Sequence, residues 1–205
     1  QGTGVRFTSE EADFLKQLIL TTGKQNKLKD SLMSKIYLAS DIQISAAHLV
    51  NAKNGLIVER LAQAIRSATV SETVIDYTVA YTAERKAFGQ TIGDFQNTQF
   101  KLAELKTESV IGRQFTDKCI ENFMNGELDA IDAAMAKMWL SNLHCKVVDE
   151  CLQLFGGWGY MWEYPISRAY ADARIVKIAG GSIEVVKLII GRKLFADYRA
   201  NGLSS

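Results

Sequence analysis

Pro165 is the only proline in the 205 residues, and that scarcity constrains the fold more than any other feature. Proline interrupts helices by removing a backbone N–H and crowding the preceding turn, so this chain is free to run helices of many turns. The apolar spacing uses that freedom. From Asn54 onward Leu61, Ile65, Ala68, Ile75 and Val79 share one broad helical face, and the helix is expected to stop near Gly89. A second helix fits Phe95 to Met124, with Leu102, Leu105, Ser109, Gly112, Phe115, Cys119 and Phe123 inward. A third fits Leu128 to Phe155, burying Ala134, Met138, Ser141, Cys145, Val148 and Leu152. A last helix fits Ser182 to Arg199. Four long amphipathic helices with short connections predict a mainly α fold, an up-down four-helix bundle.

The first fifty residues read differently. Thr8 and Glu11 resemble a capping box opening a short helix through about Leu20, and residues 24–34 are polar enough for a loop. Ile36, Leu38, Ile42 and Ile44 alternate with polar neighbours as in a half-buried strand. A lone strand or hairpin is not independently stable, so this segment needs a partner. The expected organisation is an N-terminal segment over 1–50 and a helical bundle over 51–205. The chain opens on Gln1-Gly2 without methionine and without a basic region followed by an apolar core, so no secretion signal is visible; a fragment or shortened form is expected.

Charge and composition exclude several classes. Lys and Arg number 24 against 23 Asp and Glu, and no basic block favours nucleic acid. No apolar stretch approaches the roughly 20 residues of a membrane span. The three cysteines, Cys119, Cys145 and Cys151, lack paired metal spacing, and His48 and His144 lie far apart, which argues against a zinc site; no metal is expected. Reduced thiols in an intracellular protein are the natural reading, cytoplasmic first and mitochondrial matrix as the alternative.

Two glycine-rich pieces carry more information. Glu84-Arg85-Lys86-Ala87-Phe88-Gly89-Gln90, followed by Phe95-Gln96, reads as a helix end, with cations favourable at its negative pole. It also reads as a docking corner for a dinucleotide, where arginine pairs with pyrophosphate and an aromatic ring packs on the cofactor. Gln153-Leu154-Phe155-Gly156-Gly157-Trp158-Gly159-Tyr160 and the following Glu163-Tyr164-Pro165 form a second corner, where glycine permits close backbone approach.

In this order and spacing, together with the Gly180-Gly181-Ser182-Ile183-Glu184 segment, the motifs resemble the C-terminal domain of the acyl-CoA dehydrogenase family. The match runs from about residue 36 to 196, and GGWGYMWEYPI and DAR resemble the long-chain branch. The resemblance implies that residues near 36 to 50 are the remnant of a middle β domain. It implies FAD as cofactor, an acyl-CoA thioester as substrate, a homo-oligomer (dimer or tetramer) and electron-transfer flavoprotein as acceptor. It also implies that Arg85 and Phe88 contact FAD of a neighbouring subunit, that Gln153 and Gly157 meet its adenosine end across an interface, and that Ser182 and Glu184 approach the flavin nucleotide.

The implied reaction removes a proton α to the thioester while the β hydrogen passes to FAD, and a carboxylate suits the base. Many family members carry that base immediately before the Gly-Thr near the last helix; this chain has Gly180 there. The long-chain and isovaleryl branches move it to an early bundle helix, and Val58-Glu59-Arg60-Leu61 matches that pattern. The resemblance therefore implies Glu59 as the base, with Arg60 anchoring local charge. Two alternatives remain: a non-catalytic assembly subunit or pseudoenzyme that keeps the bundle for oligomerisation, and a helical binding protein with an empty cofactor groove.

Overall fold

The computed structural model describes residues 52–202. The expected helix from Thr8, the loop over 24–34, the strand from Ile36 and the 1–50 segment all lie outside the described residues. Four long helices dominate what is described: α1 (Ala52–Glu84), α2 (Gln96–Met124), α3 (Ala130–Phe155) and α5 (Ile183–Asn201). Between α3 and α5 lies a short α4 (Pro165–Ala173), not among the expected helices, which buries Ile166, Ala169 and Ala173 at helical spacing. The lone proline occupies its first turn, where a missing N–H costs nothing. Proline thus starts a helix here rather than breaking one.

Helix α1 ends at Glu84, short of Gly89. Lys86–Ala87 (β1) pairs antiparallel with Gln90–Thr91 (β2), with Lys86 opposite Thr91 and Ala87 opposite Gln90. The two-residue loop between them is Phe88-Gly89, at φ 51° and 85°. Positive φ at both central residues defines the type I′ turn, whose twist suits a tight hairpin. Gly89 therefore serves a hairpin, not a helix cap. Asp94 then accepts hydrogen bonds from the Thr91 backbone N–H (3.1 Å) and hydroxyl (2.7 Å), ordering the short turn Ile92–Asp94 that leads into α2.

The core gathers on α3, which packs on α1, α2, α4 and α5. It is accordingly buried almost all round: Ala133, Ala136, Leu140, Leu143, Val147 and Cys151 are enclosed along with Ala134, Ser141 and Val148. Met138, Cys145 and Leu152, expected inward, are only half-buried, because a central helix has no single inward stripe for periodicity to report. On α1, Leu61, Ile65, Ala68 and Ile75 are buried as expected, whereas Val79 is exposed. On α2, Leu105, Ser109, Gly112, Cys119 and Phe123 are buried and Leu102 and Phe115 half-buried.

Helices α1 and α3 run parallel. Tyr81, near the end of α1, stacks on Phe155 at the end of α3 with ring centroids 4.0 Å apart and planes inclined 14°. Tyr77, Tyr164 and Trp158 extend the cluster. Such pairs add about 0.5–1.5 kcal/mol each beyond area burial, and here they lock the ends of the two helices in register. The Arg113 guanidinium ties α2 to α1, bonding Glu72 through Nε (2.9 Å) and Nη2 (2.6 Å).

Candidate functional site: two ends of one bundle

The expected site residues separate into two groups at opposite ends of α1. Glu59 and Glu84 are 25 residues apart on one helix, about 38 Å at 1.5 Å per residue. Glu59, Ser182 and Glu184 belong to the first end, and Arg85, Phe88, Gln153 and Gly157 to the second.

The first end is built around the turn Gly180-Gly181, which precedes α5. Both glycines have positive φ, +67° and +97°, a region where a side chain is strained. Gly180 faces Glu59: a Cβ placed there would lie 3.5 Å from Glu59 Oε1 and 3.6 Å from its Cδ. Cations from two helices hold the carbonyls of this turn. The buried Arg60 on α1 donates from Nε to Gly180 O at 3.4 Å, and Lys137 on α3 donates from Nζ to Gly181 O at 2.6 Å. Ser182 caps α5, its hydroxyl accepting from the Val185 backbone N–H at 3.5 Å. Glu184, exposed in the first turn of α5, has its carboxyl held below the usual range, first by its own backbone N–H and then by the Ser182 hydroxyl, with Lys187 and Arg174 adding to the effect. Ile183 beside it is buried.

Lys137 is the residue that sequence reasoning missed. Its side chain is fully enclosed, a rare placement for lysine, and burial pushes the ammonium pKa down, with Arg60 adding to the shift and Glu184 and Glu59 opposing it. The signal was present: one cation inside the apolar run Ala133-Ala134-Met135-Ala136-Lys137-Met138-Trp139-Leu140. Helical phase alone reads Lys137 as a solvated neighbour of Met138.

At the second end the side chains point outward. Phe88 is 96% exposed at its left-handed backbone position, touching Phe95 edge-on with centroids 6.5 Å apart. Arg85 follows the last turn of α1 and is exposed, as are Gln153 and Gly157. A Cβ at Gly156 or Gly157 would meet nothing within 4 Å. The Tyr81–Phe155 stack sits just beneath and fixes the two corners relative to each other. Together they present a guanidinium, an amide, a flat ring and bare backbone on one surface.

Among the described residues, no three His, Cys, Asp or Glu side chains gather as metal ligands, and no helix is long and apolar enough to cross a membrane.

Known proteins match this arrangement. Residues 49–195 match the acyl-CoA dehydrogenase C-terminal domain. The chain is 42% identical over 165 residues to long-chain specific acyl-CoA dehydrogenase, mitochondrial, of Sus scrofa, covering 77% of this chain and 38% of the relative. It is 34% identical over 144 residues to the mitochondrial isovaleryl-CoA dehydrogenase of Oryza sativa subsp. japonica, covering 70% of this chain and 35% of the relative. Among solved structures, an acyl-CoA dehydrogenase from Geobacillus kaustophilus superposes with a TM-score of 0.68 at 41% identity, covering 69% of this chain and 37% of that one. The chain thus spans well under half the length of these relatives. With its family domain matched over most of the bundle, the chain belongs to the acyl-CoA dehydrogenase family.

Proposed function

We propose that this chain supplies the C-terminal helical part of an FAD-dependent acyl-CoA dehydrogenase, with Glu59 as the base that removes the proton α to the thioester. One observation carries the reading: the Glu59 carboxylate lies against Gly180, the position at which many relatives carry their base. A carboxylate reaching in from α1 and one projecting from the turn before α5 serve the same small volume, and this chain keeps only the first. Like charges that close could not both remain ionised, so the glycine and the glutamate form a consistent pair.

The cofactor reading rests on the donor set. Arg85 offers a guanidinium suited to a pyrophosphate, Phe88 an exposed ring for an aromatic system, and Gln153 with Gly157 an amide beside open backbone. On this reading Ser182 and Glu184 meet a flavin nucleotide at the other end. The separation of about 38 Å exceeds the length of an extended dinucleotide, which favours each bundle serving cofactors in two different active sites and hence a homo-oligomer, dimer or tetramer. When bound, FAD would accept the β hydrogen of the substrate as hydride. The chain's own work is to place Glu59 Oε1 or Oε2 within reach of the α proton and to exclude a second carboxylate at Gly180. Electron-transfer flavoprotein is the proposed acceptor, and the mitochondrial matrix or the cytoplasm the proposed compartment.

The test is a visible spectrum of the flavin-loaded protein before and after anaerobic addition of a saturated acyl-CoA. Bleaching in the parent, with flavin retained but unbleached in Glu59→Gln, is the expected result. Parental turnover in Glu59→Gln would overturn the assignment of the base.

A further inference from the structure

We propose that Lys137 is a positioning residue for Glu59: from α3 it pins the Gly180-Gly181 turn against the carboxylate. The inference rests on the reading of Glu59 as the base. Its grounds are geometric. Lys137 has no exposed side-chain surface, and lysine is almost never fully buried without a partner. Its partner is a backbone carbonyl, Gly181 O at 2.6 Å, rather than a carboxylate, so its placement serves the turn. Arg60 takes the preceding carbonyl from the other side. Two helices thus grip two consecutive peptides of a turn whose positive φ values hold it in one shape.

The charges facing this point come from three helices. Glu59 and Arg60 lie on α1, Lys137 on α3, and Glu184 on α5, with Arg174 and Lys187 acting on Glu184. Removing Lys137 leaves the turn held by Arg60 at Gly180 O but no longer by a lysine at Gly181 O. The turn bordering Glu59 is then free to shift, and the carboxylate loses the wall that fixes its position.

The experiment measures kcat and KM for a saturated acyl-CoA in the flavin-loaded enzyme, with backbone hydrogen exchange over residues 179–183. Lys137→Met should lower kcat about 10- to 100-fold, as misplacement of a reacting group does, with a smaller change in KM. The turn should exchange faster. Lys137→Arg keeps a long cationic donor for Gly181 O and should retain more of the parental kcat than Lys137→Met. Parental kcat in Lys137→Met, beside an inactive Glu59→Gln, would overturn the proposal even if exchange quickens, since Lys137 would then be only a structural anchor. An active Glu59→Gln would instead sink the reading beneath it. Should Lys137→Met not accumulate as folded protein, Lys137→Gln decides: its polar side chain is one atom shorter than the one that reaches Gly181 O, so a lowered kcat supports the proposal and a parental one overturns it.

Discussion

Glu59 Oε1 stands 3.5 Å from the point at which a Cβ on Gly180 would begin. The two residues are 121 positions apart in the chain and come from different helical layers, yet they share one small volume. The first carbon of a side chain at 180 would already touch the carboxylate. Gly180 is therefore half of the Glu59 site, contributing space where Glu59 contributes charge.

Substitutions at Gly180 test that pairing. Gly180→Ala should destabilise by about 1 kcal/mol through its left-handed backbone, while its Cβ would meet Glu59 only at ordinary van der Waals distance and leave turnover near parental. Gly180→Glu adds a second carboxylate to the same volume, so one of the pair must hold its proton to higher pH. Activity at neutral pH should fall at least about tenfold, and adding Glu59→Ala to that variant should restore part of it. Steady-state kinetics across pH read the outcome, and an undiminished Gly180→Glu would refute the shared volume.

The second glycine corner separates packing from binding within three residues. A Cβ at Gly159 would lie 2.7 Å from the Leu152 backbone oxygen, and backbone cannot swing aside as a side chain can. Gly159→Ala should cost about 2–3 kcal/mol, read as a lowered denaturation midpoint. Gly157 has nothing within 4 Å of its would-be Cβ, so Gly157→Ala should leave stability within about 0.5 kcal/mol. If Gly157 meets the cofactor, the same substitution should weaken FAD binding, measured by flavin fluorescence. Equal stability losses at both positions would contradict the packing seen here.

His144 makes stability depend on pH. It is enclosed on α3, neither ring nitrogen has a hydrogen-bond partner among the described residues, and burial, with Arg66 adding to it, pushes its pKa down to about 4. In the unfolded chain the ring takes up a proton near pH 6.5, so the unfolded state binds more protons between those values. The neutral ring's contribution is thus complete above about pH 6.5 and is lost as pH falls towards 4, amounting to about 3 kcal/mol. Comparing denaturation midpoints of the parent and His144→Met from pH 7 to 4 isolates this slope. The parent should fall more steeply, and parallel curves would show that His144 is not held neutral.

Much of the bundle was legible because helical order is local. A single proline, apolar residues at helical spacing, and glycines closing apolar runs place α2, α3 and α5 within two residues of their observed ends. The hairpin at Phe88-Gly89 escaped that reading, since its turn type depends on two backbone angles that Arg85-Lys86-Ala87-Phe88 does not advertise. The short α4 escaped too, because one proline at a helix start looks in sequence like one at a helix stop.

What the sequence by itself determined was the helix content, the family motifs and the two candidate carboxylate positions, one filled at Glu59 and one vacated at Gly180. Only the tertiary structure decided that these two positions coincide, that Lys137 lies inside rather than on a solvated face, and that the remaining expected residues stand at the far end of α1. The physical reason is range. Periodicity and capping are set by neighbours a few residues away, whereas the contact between α1 and the turn before α5 exists only once α3 has filled the centre and brought both to the same end.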